Sequence, residues 1–134
     1  MTINRREFLK VSAAGAAAAG VVGLSGCTGA KGSGNVVVIG GGYGGATVAK
    51  YVRMWSDGGI NVTLIERNTN FVSCPMSNLV VAGERKLEEI TVSYDGLKKH
   101  GVRVIQGEVT AVDADKRSVK LANGDSIAYD RLVV

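Results

Sequence analysis

Hydrophobic and polar positions change rhythm three times along the chain. Between Val11 and Ala30 no charged residue occurs, and the run is a weakly apolar mixture of alanine, glycine and valine. From Asn35 the pattern tightens. Val36-Val37-Val38-Ile39 are consecutive β-branched residues without polar alternation, as in a strand covered on both faces. Residues 46–55 then place Ala46, Ala49 and Val52 at helical spacing, small enough to pack close to a sheet, and Asp57-Gly58-Gly59 ends the helix. A second strand over residues 60–66 carries an acid, Glu66, at its C-terminal end. Residues 95–100 read as the end of a helix, which puts Lys98, Lys99 and His100 in its last turn, solvated and facing the dipole. After Gly101 the pattern predicts short strands at 102–106, 108–113, 118–121 and 127–134. Asp113-Ala114-Asp115-Lys116 and Asn123-Gly124-Asp125 supply turns between them. The alternation in Val109-Thr110-Ala111-Val112 and Val119-Lys120-Leu121 predicts a small half-buried antiparallel β-meander.

Composition separates the opening from the rest. The 134 residues are 46% hydrophobic and 21% charged, enough to fold, and twelve of the nineteen glycines lie between Gly15 and Gly45. The charge-free run follows Asn4-Arg5-Arg6-Glu7-Phe8-Leu9-Lys10, a basic region whose twin arginines look like the signal read by the twin-arginine translocase. It ends Leu24-Ser25-Gly26-Cys27, which looks like a lipobox cleaved before a lipidated Cys27. Two alternatives stay open: a membrane-spanning anchor, and cleavage near Ala30 that discards Cys27. The expected organisation is a signal peptide over 1–26, a flexible tether over 27–34 and one domain over 35–134, in a periplasmic protein attached to the membrane by lipid. Loss of residues 1–26 removes Arg5, Arg6, Lys10 and Glu7, so the formal charge falls from +4 to +2. The remaining basic residues do not cluster, so no nucleic-acid partner is expected. Two cysteines exclude a disulfide-dense scaffold, and no metal site is expected.

Between the first strand and the helix lies Gly40-Gly41-Gly42-Tyr43-Gly44-Gly45, with Gly40, Gly42 and Gly45 in GxGxxG register. Chemistry explains each position. Gly40 allows the tight turn, Gly42 lets backbone approach a pyrophosphate, and Gly45 lets helix and strand pack closely. Gly41 and Gly44 complete the phosphate loop, and the helix N-terminus offers N–H groups to the anion. Glu66, 26 residues after Gly40, is placed to accept hydrogen bonds from ribose hydroxyls. Arg67 is either an adenosine contact or a solvated side chain. Strand, glycine turn, helix, strand and acid together predict an α/β, Rossmann-like dinucleotide-binding domain. The added meander is more typical of FAD-binding domains than of NAD dehydrogenases.

The loop after Glu66 reads Phe71-Val72-Ser73-Cys74-Pro75-Met76-Ser77-Asn78. Eight residues of extended chain, at about 3.3–3.6 Å each, can run from an adenosine ribose to a flavin ring. Pro75 biases Cys74 toward extended backbone, and Ser77 and Asn78 offer caps for a helix through residues 79–82.

Residues 40–50, Glu66-Arg67-Asn68, Ser73-Cys74-Pro75-Met76-Ser77-Asn78 and Tyr129-Asp130-Arg131-Leu132-Val133-Val134 resemble the flavoprotein subunit of flavocytochrome c sulfide dehydrogenases. The resemblance covers essentially all of the chain, leader included. Met76 stands where leucine is common in that family, a volume-conserving change. The resemblance implies FAD joined through Cys74 sulfur to the flavin 8α-carbon, and adenine against the backbone of Val109. It also implies sulfide oxidation at a redox-active disulfide, with electrons passed to a c-type cytochrome subunit. No catalytic cysteine of that disulfide can be assigned here, since only Cys27 and Cys74 occur. The string stops inside a strand, so the chain is expected to be the N-terminal part of a longer polypeptide.

A second enzyme class remains open. Cys74 also resembles the single cysteine of NADH peroxidases and coenzyme A-disulfide reductases, where a thiol over the flavin cycles through sulfenic acid or mixed disulfide. Leu79 occupies the place of the second cysteine of two-cysteine disulfide reductases, which disfavours that group. Export favours a c-type cytochrome over NADH as electron partner. A non-enzymatic FAD-holding lipoprotein that only relays electrons is the third reading.

Overall fold

A computed structural model of the chain describes residues 33–134. The expected signal peptide, lipobox and Cys27 lie outside the described residues.

The uninterrupted apolar run forms β1 (Gly34–Ile39), one residue earlier than the pattern predicts. It sits inside a four-stranded parallel sheet. After α1 (Tyr43–Trp55) comes β2 (Ile60–Glu66), paired in parallel with β1 from Gly34↔Ile60 to Ile39↔Ile65. Next come β3 (Asn70–Val72), a short α2 (Ser77–Val81), a 3₁₀ turn (Leu87–Ile90) and β4 (Thr91–Ser93). The sequence pattern does not announce β3 and β4, which pair antiparallel. They are three residues each, too short to display a period. A five-residue α3 (Asp95–Lys99) stands where the end of a longer helix was expected, with His100 at its C-cap.

One of the predicted strands belongs to the parallel sheet, and another divides between the two sheets. The stretch at 102–106 becomes β5 (Arg103–Gln106), which pairs in parallel with β2. The stretch at 127–134 divides into β8 (Ser126–Ala128) and β9 (Arg131–Val133). The break falls at Tyr129 and Asp130. There the Asp130 carboxylate accepts the Asn35 N–H at 2.7 Å and the Asp130 N–H donates to the Asn35 carbonyl at 2.8 Å. That exchange turns the chain out of the meander and into pairing with β1. The meander is therefore β6 (Val109–Asp113), β7 (Ser118–Leu121) and β8, antiparallel throughout.

The parallel order is β5-β2-β1-β9. Both faces of this sheet are covered, which is why β1 lacks polar alternation. Val38, Val62 and Leu64 pack with Ala49 of α1, Tyr94 and Val102 on one face. Val37 and Ile65 pack with Val119 and Leu121 of the meander on the other. Fully burying one such aliphatic side chain contributes about 1.5–3 kcal/mol. Ala49 of α1 is fully buried in this core, and Val52 packs against the same cluster. Ala46, expected on that face, lines a cleft near the glycine turn.

Candidate functional site

The sheet reverses its order at β1, with β2 and β5 added on one side and β9 on the other. In open α/β sheets the ligand crevice lies outside the carboxyl ends of the strands at such a switch point. Here that edge is extended past the strands. Gly40 N–H donates to the Ile65 carbonyl and Gly107 N–H to the Glu66 carbonyl, both at 2.9 Å.

The five glycines do different jobs. Gly40 has φ of +95°, a conformation that L side chains rarely adopt. A Cβ on Gly45 would overlap the Gly40 carbonyl oxygen, and a Cβ on Gly41 would overlap the Tyr94 ring. A Cβ on Gly42 or Gly44 would meet no protein atom within 4 Å. The protein itself thus requires Gly40, Gly41 and Gly45, while the backbone at Gly42 and Gly44 is open to a close-approaching ligand. The helix begins at Tyr43, three residues earlier than its apolar spacing predicts, and takes Gly44 and Gly45 into its first turn. Its leading N–H groups have no carbonyl four residues back, and thirteen residues of helix put a positive dipole end behind them. This cradle suits a pyrophosphate.

Glu66 is tied to the same turn. Its Oε2 accepts the Gly41 N–H at 2.6 Å, and its Oε1 accepts the Asn68 N–H at 2.9 Å and the Asn68 amide at 3.0 Å. Burial works to raise its pKa, but the donated bonds of Gly41, Asn68 and Arg67 outweigh it and hold the carboxyl below its ordinary value. Each oxygen keeps acceptor capacity for a ribose hydroxyl. Glu66, Arg67, Gly40 and Val109 line one cavity of about 250 Å³, together with Ile39, Ile65, Gly107 and Glu108. Four of the residues singled out in the sequence therefore meet at one place, of a size for part of a nucleoside. The Arg67 side chain is exposed there.

The lowered Glu66 pKa has a definite sign. Its contribution to stability is complete above the ordinary value of 4.5 and is lost as pH falls through the lower folded value. Glu66→Gln is expected to melt below the unsubstituted full-length protein at pH 7. The gap between the two should narrow as pH falls below 4.5. Thermal melts across that range check this, and a gap that is flat with pH would contradict it.

Cys74 is a free, exposed thiol in the loop between β3 and α2. Its neighbours are anchored although it is not. Ser73 is buried, its N–H donates to the Ile90 carbonyl at 2.8 Å, and its hydroxyl donates to the Pro75 carbonyl at 3.3 Å. The Cys74 carbonyl accepts the Ser77 N–H at 3.1 Å. Met76, with φ of +70°, is the residue before the helix, so Ser77 begins α2 and makes no side-chain cap. Ser77 fails as a cap because the left-handed turn at Met76 brings it into the helix one position early. The Cys74 loop lines neither cavity of the glycine turn.

Tyr94 escaped the sequence reading. It is buried, 53 positions from the turn, and its hydroxyl donates to the Gly41 carbonyl at 3.1 Å. Burial, with the Glu66 charge added, raises the phenol above 10.0, which keeps the donor proton in place. No local motif marks this residue, because its partner is distant in sequence. On its side of the turn is a larger apolar cleft of about 340 Å³, walled by Tyr43, Phe71, Val92 and Leu97. Its size alone assigns it no chemistry.

Glycine turn, helix end, acid and the cavity between them define a dinucleotide-binding domain of Rossmann type. The chain belongs to the pyridine nucleotide-disulphide oxidoreductase family, which matches residues 34–134, and it is thus of a flavoprotein oxidoreductase class. Residues 2–22 match the twin-arginine translocation pathway signal sequence, a mark for export from the cytoplasm. The chain is 57% identical over 49 residues to the sulfide dehydrogenase (flavocytochrome c) flavoprotein chain of Chlorobaculum thiosulfatiphilum, covering 37% of this chain and 100% of that one. It is 35% identical over 99 residues to apoptosis-inducing factor homolog B of Dictyostelium discoideum, covering 74% of this chain and 24% of that protein. Among solved structures, the sulfide:quinone oxidoreductase of Aquifex aeolicus matches with a TM-score of 0.66 and 34% identity over 73% of this chain and 23% of that one. The chain thus spans about a quarter of the length of these last two relatives.

Proposed function

We propose that this chain is the FAD-holding part of an exported flavoprotein subunit that oxidises sulfide, or a related reduced sulfur compound, and passes electrons to a c-type cytochrome. FAD would be tethered covalently through Cys74. When bound, the flavin supplies two-electron acceptance from the sulfur donor and one-electron release to the cytochrome. The chain's own residues bind and orient it. Glu66 receives ribose hydroxyls, the N-terminus of α1 receives the pyrophosphate, and Val109 and Arg67 flank the adenosine side. Sulfide, as HS⁻, gives up two electrons and one proton to become zero-valent sulfur.

The observation that carries this reading is the exposed Cys74 thiol in a loop bonded through Ser73 to Tyr43, the first residue of the phosphate-binding helix. The 57% identity to a sulfide dehydrogenase flavoprotein chain and the similarity to a sulfide:quinone oxidoreductase support the sulfur chemistry. The twin-arginine signal supports a cytochrome as acceptor, because export separates the protein from cytoplasmic NADH. The remaining expectations form one arrangement with it: lipid attachment at Cys27, a periplasmic location at the membrane and a catalytic disulfide outside this chain.

Anaerobic titration of the full-length holoprotein tests the assignment. Sulfide should bleach the flavin absorbance, and an oxidised c-type cytochrome should restore it. Bleaching by NADH but not by sulfide would replace this reading with the single-cysteine peroxidase or coenzyme A-disulfide reductase class. Bleaching by neither would leave the electron-relay lipoprotein.

A further inference from the structure

Tyr43 occupies a position that the glycine motif leaves unspecified, between Gly42 and Gly44. It is nevertheless the residue that joins the phosphate turn to the thiol loop. Its hydroxyl lies 2.5 Å from Ser73 Oγ, and its ring meets Phe71 edge-on with centroids 4.8 Å apart. Hydroxyl inventory fixes the direction of the bond. Ser73 has one hydroxyl proton, which it gives to the Pro75 carbonyl, so Tyr43 donates and Ser73 accepts. The relay runs from the first residue of α1, through Ser73, to Pro75, and so brackets Cys74 on both sides. The Ser73 N–H, held by the Ile90 carbonyl, fixes the bracket to the 3₁₀ turn as well. The Cys74 side chain is exposed, and its carbonyl accepts the Ser77 N–H.

We infer that Tyr43 and Ser73 are positioning residues for covalent flavin attachment. Their hydrogen bond sets the register of Cys74 sulfur against the helix end that holds the pyrophosphate. This rests on the reading of Cys74 as the flavin tether. Attachment breaks the Cys74 S–H bond and one C–H bond of the flavin 8α-methyl group and makes one C–S bond. Two electrons and two protons stay in the flavin ring, from which the c-type cytochrome then takes the electrons. Such a reaction between two held groups is sensitive to placement. A misplacement of about 1 Å can cost on the order of 100-fold in rate.

The test is reconstitution of the full-length apoprotein with FAD, in the presence of an oxidised c-type cytochrome. Thioether formation is followed by acid precipitation at timed intervals and expressed per FAD bound. Tyr43→Phe and Ser73→Ala should slow attachment by about tenfold or more. Ser73→Thr, which keeps a hydroxyl at the same carbon, should restore a rate near that of the unsubstituted protein. A purely structural loss would lower bound FAD or melting temperature without separating Ser73→Thr from Ser73→Ala, and that result would overturn the inference. Attachment at the unsubstituted rate in both Tyr43→Phe and Ser73→Ala would also overturn it, and would leave the tether intact. Absence of covalent flavin from the unsubstituted protein would overturn tether and positioning role together.

Discussion

Gly45→Ala is expected to strip FAD from the full-length protein and lower its melting temperature. The added Cβ would overlap the Gly40 carbonyl oxygen and come within 3.3 Å of Val38. Neither neighbour can yield cheaply. Gly40 is held by its own N–H bond to the Ile65 carbonyl, and Val38 is fully buried in the core between sheet and helix. The helix must therefore lift from β1, at a cost of about 1–3 kcal/mol for overpacking. Lifting also carries the N–H groups of Tyr43 and Gly44 away from the pyrophosphate position, so cofactor retention falls with stability. Gly44→Ala is the matched control for apoprotein stability alone, since its backbone faces the pyrophosphate position. Its Cβ meets nothing in the protein, and replacing glycine within a helix is worth about 1 kcal/mol of stabilisation. Melting curves of the two apoproteins read the stability effect, and the flavin content of the purified Gly45→Ala holoprotein reads cofactor retention. Full flavin content in Gly45→Ala would contradict the assignment of the close contact.

Cys74→Ser is expected to abolish covalent flavin while leaving FAD bound. The binding elements are the helix start at Tyr43, the Glu66 carboxylate and the cavity bounded by Val109. None depends on the Cys74 side chain, which is exposed and contributes its carbonyl, not its sulfur, to the loop's hydrogen bonds. Loss of one exposed sulfur should therefore leave stability within about 0.5 kcal/mol. Acid treatment of this variant should release all its yellow colour into the supernatant. Colour that stays in its pellet would move the tether to another residue.

Much of this domain was legible in the sequence because its first half is written in local rules. A buried parallel strand needs an unbroken apolar run, a tight turn needs glycine, and a dinucleotide site needs an acid at the second strand's end. The run at Val36–Ile39, the glycines at 40–45 and Glu66 follow those rules, and the structure brings Gly40, Glu66, Arg67 and Val109 to one cavity. What was hidden depends on partners distant in sequence. Arg103–Gln106 has the composition of a meander strand, and its place beside β2 is decided by pairing across 40 residues. Asp130 looks like an ordinary turn residue until its bonds to Asn35 divide the last strand in two. Tyr94 and Tyr43 carry no motif, yet one braces Gly41 and the other reaches Ser73.

The mass of the Cys74 peptide tests the tether directly. The full-length protein, purified as the holoprotein, is precipitated in acid, digested with trypsin, and its peptides are weighed. The tether requires a yellow pellet and a Cys74 peptide heavier by one flavin adenine dinucleotide, less the two hydrogens lost on oxidised thioether formation. A colourless pellet, free FAD in the supernatant and an unmodified Cys74 peptide would contradict it.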